Sequence, residues 1–311
     1  MTNNEHNHEH SHEGHHHHSI DENISLKKIT GVTILNATIT ITEIIGGILS
    51  GSLSLLSDAL HNLSDTVAII LSYVALVISR KEKNEKKSYG YKRAGVLAAF
   101  INSTALIVIS FYLLYEAYKR FINPETINGN LMIIVAVIGL VSNFISVLLL
   151  EKDSKNSMNL KASYLHLLGD TVSSVGVVIG GIVIKFWNIY WIDPLVTVLI
   201  SIYILKESYG IFKQTIDILM QSTADLDYED LKKDVENIDG VINIHHIHTW
   251  MSDEKTIYFE GHVILEDMLI SNAKKIHSEI EEILENEFGI SHITIQFEAE
   301  NEECETELFK I

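Results

Sequence analysis

Two imidazoles and two carboxylates stand at matched spacing in this chain. His61 and Asp65 lie four residues apart within LSLLSDALHNLSDTVAIILSYVALVI (53–78), and His166 and Asp170 repeat that interval within SYLHLLGDTVSSVGVVIGGIVI (163–184). On a helix, positions i and i+4 share one face. Imidazole nitrogen with carboxylate oxygen suits Zn²⁺ or Cd²⁺, whereas an all-oxygen shell would suit Mn²⁺ or Mg²⁺. Four such donors complete one tetrahedral zinc shell. Metal needs neutral imidazole and ionised carboxylate, so metal and protons compete for the same atoms. Because histidine ordinarily titrates near about 6.5, a physiological pH difference could load and empty such a site. Asp58, one turn before His61, is open to three readings. It could be a ligand on the metal's way in, an acceptor for an imidazole N–H, or a helix-packing residue.

Both segments that carry these pairs are long and apolar enough to cross a bilayer. An aspartate at mid-bilayer costs about 2.5–3.5 kcal/mol on insertion scales, which is too much for an idle residue. Hydrogen-bonded glue between helices is the rival explanation for a single pair. Two copies with the same spacing favour a metal. The hypothesis is proton/metal exchange at a mid-membrane site open alternately to each side.

Stepping outward from these two helices, four more apolar segments read as spans: 29–49, 94–118, 131–150 and one that starts at Asp193-Pro194 and ends near Lys206. Asp193 is expected as N-cap and Pro194 as the first helical residue. Seven Lys or Arg between Arg80 and Arg93 make the densest basic loop in the chain, which the positive-inside rule places in the cytoplasm. Three lysines in EKDSKNSMNLK (151–161) agree. Six spans put both termini on the cytoplasmic side. Trp187, Tyr190 and Trp191 then fall where a far-side aromatic belt would lie.

The polar remainder sets further bounds. Residues 1–18 hold eight of the sixteen histidines, a composition that builds no core but binds Zn²⁺, Ni²⁺ or Cu²⁺ weakly. The N-terminus has no cleavable signal pattern, being polar and acidic rather than basic then apolar. A formal charge of −18 argues against a nucleic-acid partner, which demands a basic surface. The single cysteine, Cys304, excludes an internal disulfide framework and suits reducing cytosol. Beyond about Gln214 the pattern turns soluble. A short helix spans 227–237 and stops at Gly240, then VINIHHIHTW and TIYFEGHVIL alternate as strands around SDEK. A helix over 271–288 closes at Gly289, and HITIQFE alternates as a last strand. The order αββαβ makes a small α+β domain, a sheet with helices on one face. The expected organisation is a disordered His-rich arm (1–27), a membrane domain (28–212), a cytoplasmic domain (213–300) and an acidic tail (301–311).

The segments SGSLSLLSDALHNLSD, SYGYKRAGVLAAFIN, HLLGDTVSSVGVV and IHHIHTW together resemble the cation diffusion facilitators over nearly the whole chain, 28–298. The resemblance implies a homodimeric zinc/proton antiporter of the bacterial cation-efflux type, in the cell (inner) membrane, with six transmembrane helices and a ferredoxin-like cytoplasmic domain. It implies His61, Asp65, His166 and Asp170 as the transport site for Zn²⁺, with H⁺ as counter-ion. Relatives with aspartate at the first of these positions tend toward broader or different metal use, so the resemblance implies that His61 favours zinc, with Cd²⁺ and Co²⁺ as further candidate cargo. The family pattern also maps cytoplasmic metal ligands onto His245, His262 and Glu298, with Cys304 a further candidate. His246, His248, His277 and His292 read as ordinary surface or core histidines. Two departures stand out: Lys87 and Tyr91 occupy positions where some bacterial members bind a second metal, so none is expected there, and Gly95 replaces an acid common among relatives. Two other classes carry the same residues, an intramembrane zinc metalloenzyme and a membrane metal sensor without flux. A catalytic zinc keeps a water position open, and the HExxH pattern is absent, so a closed exchangeable site fits better.

Overall fold

A computed structural model describes residues 19–151 and 158–299, with side chains over 34–151 and 164–299. Residues 1–18 of the expected arm (1–27), Cys304 and the acidic tail lie outside the described residues. Residues 19–27 are helical and belong to the first helix rather than to a disordered arm. Six long helices come first: α1 (Ser19–Ser50), α2 (Leu53–Ser79), α3 (Ala94–Ile122), α4 (Gly129–Glu151), α5 (Met158–Trp187) and α6 (Ile192–Leu219). Helices α2 to α6 are each long and apolar enough to cross a membrane, and α1 adds the shorter apolar stretch Ile34–Ser50. Their outward faces are apolar too: Phe111, Leu199 and Val172 are each more than half exposed. Water would not tolerate that much open hydrocarbon, and lipid does. The chain is a multi-pass membrane protein.

Two compact units emerge, with the division inside α2 at Ala59/Leu60. One contains α1, the start of α2, α4 and α5. Small residues set its close approaches, because helices in lipid gain from packing rather than from the hydrophobic effect. A Cβ on Gly46 of α1 would lie 2.6 Å from Val135 Cγ2 of α4, and one on Gly129 would lie 3.0 Å from the Lys185 backbone nitrogen of α5. Gly139 of α4 leaves the space that the buried Glu43 carboxyl of α1 fills.

The other unit holds the rest of α2, α3, α6 and the soluble domain. Ser64 of α2 donates to Asn102 Oδ1 of α3 at 3.1 Å, and Phe100 of α3 stacks on Phe212 of α6 at 5.5 Å. Asp193 does not cap α6 as expected. Trp191 stands at the cap, and the fully buried Asp193 carboxylate faces Arg120 Nη1 of α3 at 4.0 Å. A charge buried this deeply is spent on a counter-charge rather than on an N-terminus. Helix α6 also continues past Lys206 to Leu219 with no break.

The soluble domain follows as α7 (Tyr228–Glu236), β1 (Val241–Met251), β2 (Ile257–Leu265), α8 (Ile270–Asn286) and β3 (Ile290–Ala299). Asp227 starts α7 by accepting the backbone N–H groups of Glu229 and Asp230. Strand order is β1-β2-β3, with β1 antiparallel and β3 parallel to β2. Asp253 closes the β1–β2 turn, its Oδ1 accepting the Lys255 and Thr256 N–H groups at 2.9 and 2.8 Å. Leu231 and Val235 of α7 share one core with Ile276, Ile280 and Leu284 of α8 and with Ile244, Ile247, Phe259 and Val263 of the sheet. Both helices therefore cover one face, and the other face is open to function.

Space around the glycines separates two substitutions that look alike. Gly46→Ala should destabilise by about 1–3 kcal/mol through overpacking against Val135. Gly210→Ala on α6, with nothing within 4 Å of its Cβ position, should be neutral or stabilising by up to about 1 kcal/mol. Thermal unfolding of both variants in detergent checks the contrast.

Candidate metal centres

Each HxxxD pair sits as its helix demands. On α5, His166 Nε2 and Asp170 Oδ2 are 3.8 Å apart, with Asp170 buried and His166 about one-third exposed. On α2, His61 Nε2 and Asp65 Oδ2 are 3.9 Å apart, with His61 buried and Asp65 partly open. Both separations are too long for a hydrogen bond. Two ligands on one tetrahedral zinc, with bonds of about 2.0 Å, stand about 3.3 Å apart, so a small closure of either pair would chelate an ion. The His61 ring also meets Tyr203 of α6 edge-on at 6.4 Å between centroids.

Asp58 is held from α5. Its Oδ1 accepts from Ser173 Oγ at 2.7 Å and its Oδ2 from Ser174 Oγ at 3.0 Å. Asn143 Nδ2 of α4 donates in turn to Ser174 Oγ at 3.2 Å. A carboxylate costly in hydrocarbon thus ties three helices together. The two hydroxyls follow Asp170 by one turn, a signal that sequence reading passed over because serine is common in membrane helices.

On the open face of the soluble sheet, Glu298 joins two histidines. Its Oε2 lies 3.2 Å from His245 Nε2 and its Oε1 2.7 Å from His262 Nδ1. One ligand atom from each of the three lies within 4.8 Å of the others. Cross-strand pairing of His245 with His262 brings the imidazoles together, and the parallel β2–β3 register brings Glu298 alongside.

His246 also belongs here. Between His245 and His248 the β1 register slips by one residue against β2, and His246 takes φ +50°. Such a bulge reverses the in–out alternation. Ile247 can then enter the core while His246 stacks on the His262 ring at 4.6 Å and meets His248 at 4.8 Å. Plain alternation hid this. His277 instead pairs with Glu281 on α8, and His292 packs on Tyr258.

In the loop after α2, Lys87 and Tyr91 serve the local fold. The Lys87 ammonium lies over the Tyr91 ring, and Asn84 Nδ2 donates to the Tyr91 hydroxyl at 3.0 Å.

Comparison with known proteins adds a family and relatives. Residues 29–220 match the cation efflux transmembrane domain, and residues 223–300 match the cation efflux protein cytoplasmic domain. The chain is 38% identical over 281 residues to the cadmium, cobalt and zinc/H(+)-K(+) antiporter of Bacillus subtilis, covering 89% of this chain and 88% of that protein. It is 34% identical over 265 residues to the metal cation efflux system protein CzcD of Cupriavidus metallidurans, covering 85% and 84%. It is also 34% identical over 273 residues to the zinc transporter ZitB of Escherichia coli, covering 86% and 85%.

Removing both hydroxyls, Ser173→Ala with Ser174→Ala, takes a donor from each Asp58 oxygen. The expected loss is about 1–3 kcal/mol, read as a lower unfolding midpoint of the detergent-purified protein.

Proposed function

The chain belongs to the cation efflux family, the cation diffusion facilitators, and on that premise we propose that it exports Zn²⁺ from the cytoplasm in exchange for protons. His61, Asp65, His166 and Asp170 bind the moving ion, each pair giving one imidazole nitrogen and one carboxylate oxygen. The names of the Bacillus and Escherichia relatives, an antiporter for cadmium, cobalt and zinc and a zinc transporter, support this cargo and extend it to Cd²⁺ and Co²⁺.

The observation that carries the shared site is the Ser173/Ser174–Asp58 crossing of α5 and α2. Successive spans alternate in direction, so α2 and α5 run opposite ways. From the crossing, one step along α2 reaches His61 and the next Asp65. The same steps along α5, in reverse sequence, reach Asp170 and then His166. At 1.5 Å per residue the four ligands lie roughly 5–12 Å along the helices from one contact, at matching heights. Antiparallel packing carried on from that contact would set a carboxylate opposite an imidazole twice, the arrangement that one tetrahedral ion needs. Protons that neutralise the carboxylates and charge the imidazoles would release the metal.

The rest of the reading follows from this one. The protein sits in the inner membrane as a homodimer with both termini cytoplasmic, its cytoplasmic domains in contact. The His-rich residues 1–18 ahead of α1 collect metal for a membrane domain whose last helix runs to Leu219, and the cytoplasmic domain after it precedes an acidic tail. His245, His262 and Glu298 hold a regulatory zinc, with Cys304 a further ligand from the tail. Three donors leave a position for such a ligand or for water.

Zinc movement into sealed vesicles containing the purified protein tests the whole. Asp170→Ala should lower the rate by at least about tenfold, the loss of ~1.4 kcal/mol or more of ion binding, with dimer size unchanged. Transport indifferent to an imposed pH gradient would remove the proton half of the reading. His61→Asp should admit Mn²⁺ into the same vesicles, and an unaltered metal profile would refute His61 as the selectivity residue. Glu298→Ala should remove zinc equivalents in calorimetric titration while the maximal vesicle rate persists.

A further inference from the structure

Where the loop after α2 meets the soluble domain there is a cavity of about 800 Å³ whose lining changes character from end to end. Leu71, Val74 and Ile78 form one stripe along α2, and Leu97 and Ile101 form another along α3. Val74, Leu97 and Ile101 are each about half exposed. Lys86, Lys87, Lys92 and Arg93 line the same cavity, and Trp250 and Tyr258 of the sheet roof it. Tyr258 is met edge-on by Tyr89 of the loop at 5.3 Å, and Lys92 Nζ donates to Thr256 Oγ1 at 3.2 Å. The soluble domain is the cytoplasmic one, so this contact sets the cationic end at the cytoplasmic boundary of the membrane.

We propose that this cavity binds one anionic phospholipid of the cytoplasmic leaflet, its phosphate on Arg93 and an acyl chain along the α2–α3 stripes. Three observations argue for that occupant. First, none of the four cations has a carboxylate partner among the described residues, although the protein carries a net charge of −18. Lys92 is engaged by a hydroxyl and Lys87 by a ring, while the Lys86 and Arg93 side chains make no hydrogen bond or ion pair among the described residues. Clustered cations without counter-charges are stabilised by an anion brought from outside.

Second, α3 begins at this point with Arg93 at its cap, no side-chain cap hydrogen bond and no acid in its first turn. The partial positive charge of a long helix start therefore adds to the cations instead of being cancelled. Gly95, on that first turn, brings no carboxylate to the mouth of the cavity. Third, the order of the lining is that of a lipid. Arg93 stands one turn before Leu97, and Ile101 lies one turn deeper. The α2 stripe from Leu71 to Ile78 covers about 10 Å, enough for several methylenes. A soluble phosphate would use only the cationic end and leave the apolar walls without a partner. A zwitterionic headgroup would bring its own ammonium against four positive charges.

Native mass spectrometry of the full-length protein in mild detergent, titrated with dioleoyl phosphatidylglycerol or dioleoyl phosphatidylcholine, tests this. Phosphatidylglycerol should bind about tenfold more tightly than phosphatidylcholine. Arg93→Gln with Lys86→Gln should remove most of that preference. Lys81→Gln with Lys83→Gln, the same charge change outside the cavity, should leave it intact. Leu97→Trp, which fills the apolar part without changing charge, should lower retention on its own and stands in if the doubly neutralised protein fails to fold. Glycerol 3-phosphate in excess should not displace the lipid. Equal binding of the two lipids, equal loss from both lysine-containing pairs, unaltered retention in Leu97→Trp, or displacement by glycerol 3-phosphate would each overturn the proposal.

Discussion

A carboxylate inside hydrocarbon survives only while something else holds its charge, and among the described residues four of the six spans bury one. Asp193 faces Arg120, Asp58 takes two serine hydroxyls, and Glu43 lies in the space that Gly139 leaves. Asp65 and Asp170 each have a histidine one turn away on the same helix. Solvation of Asp58 and Asp193 constrains which helices can neighbour which, because their partners come from another helix. Apolar packing alone would accept many arrangements of six greasy helices. Buried acid narrows the choice.

The same constraint separates acids held from another helix from acids placed beside a histidine of their own helix. Asp58 and Asp193 have partners that do not titrate in the physiological range, hydroxyls in one case and guanidinium in the other. Asp65 and Asp170 each stand one turn from an imidazole on the same helix instead. Helix α2 carries one acid of each kind. Asp58 anchors the start of the helix to α5, and Asp65 stands one turn from His61.

Much of this was legible in the chain because hydrocarbon and helix periodicity both leave strong marks. The spans, the HxxxD pairs, the SDEK turn and the αββαβ order all follow from runs, spacings and stop residues. Three features did not show. Asp193-Pro194 reads as a helix start, yet burial against Arg120 overrides the capping preference, and local pattern cannot register a partner on another helix. Helix α6 runs through 213 to Leu219, because composition reports where a helix leaves lipid and not where its hydrogen bonds end. The bulge at His246 shifts alternation by one residue, and nothing in IHHIHTW marks which histidine is the extra one. Each miss is a tertiary effect acting on a locally ambiguous string.

The bulge also links fold to chemistry in the soluble domain. Helices α7 and α8 occupy one face of the sheet, so β1 must keep sending Ile244 and Ile247 inward across three residues. Strict alternation allows inward residues only at even intervals, and 244 to 247 is odd. Either Ile247 leaves the core or one residue is extruded. Extrusion at His246 keeps the isoleucine buried and gathers His246 with His245 and His262 on the uncovered side, where Glu298 already meets both. The core requirement thus supplies the clustering, and a histidine-rich face needs no backbone distortion beyond the one that packing imposes.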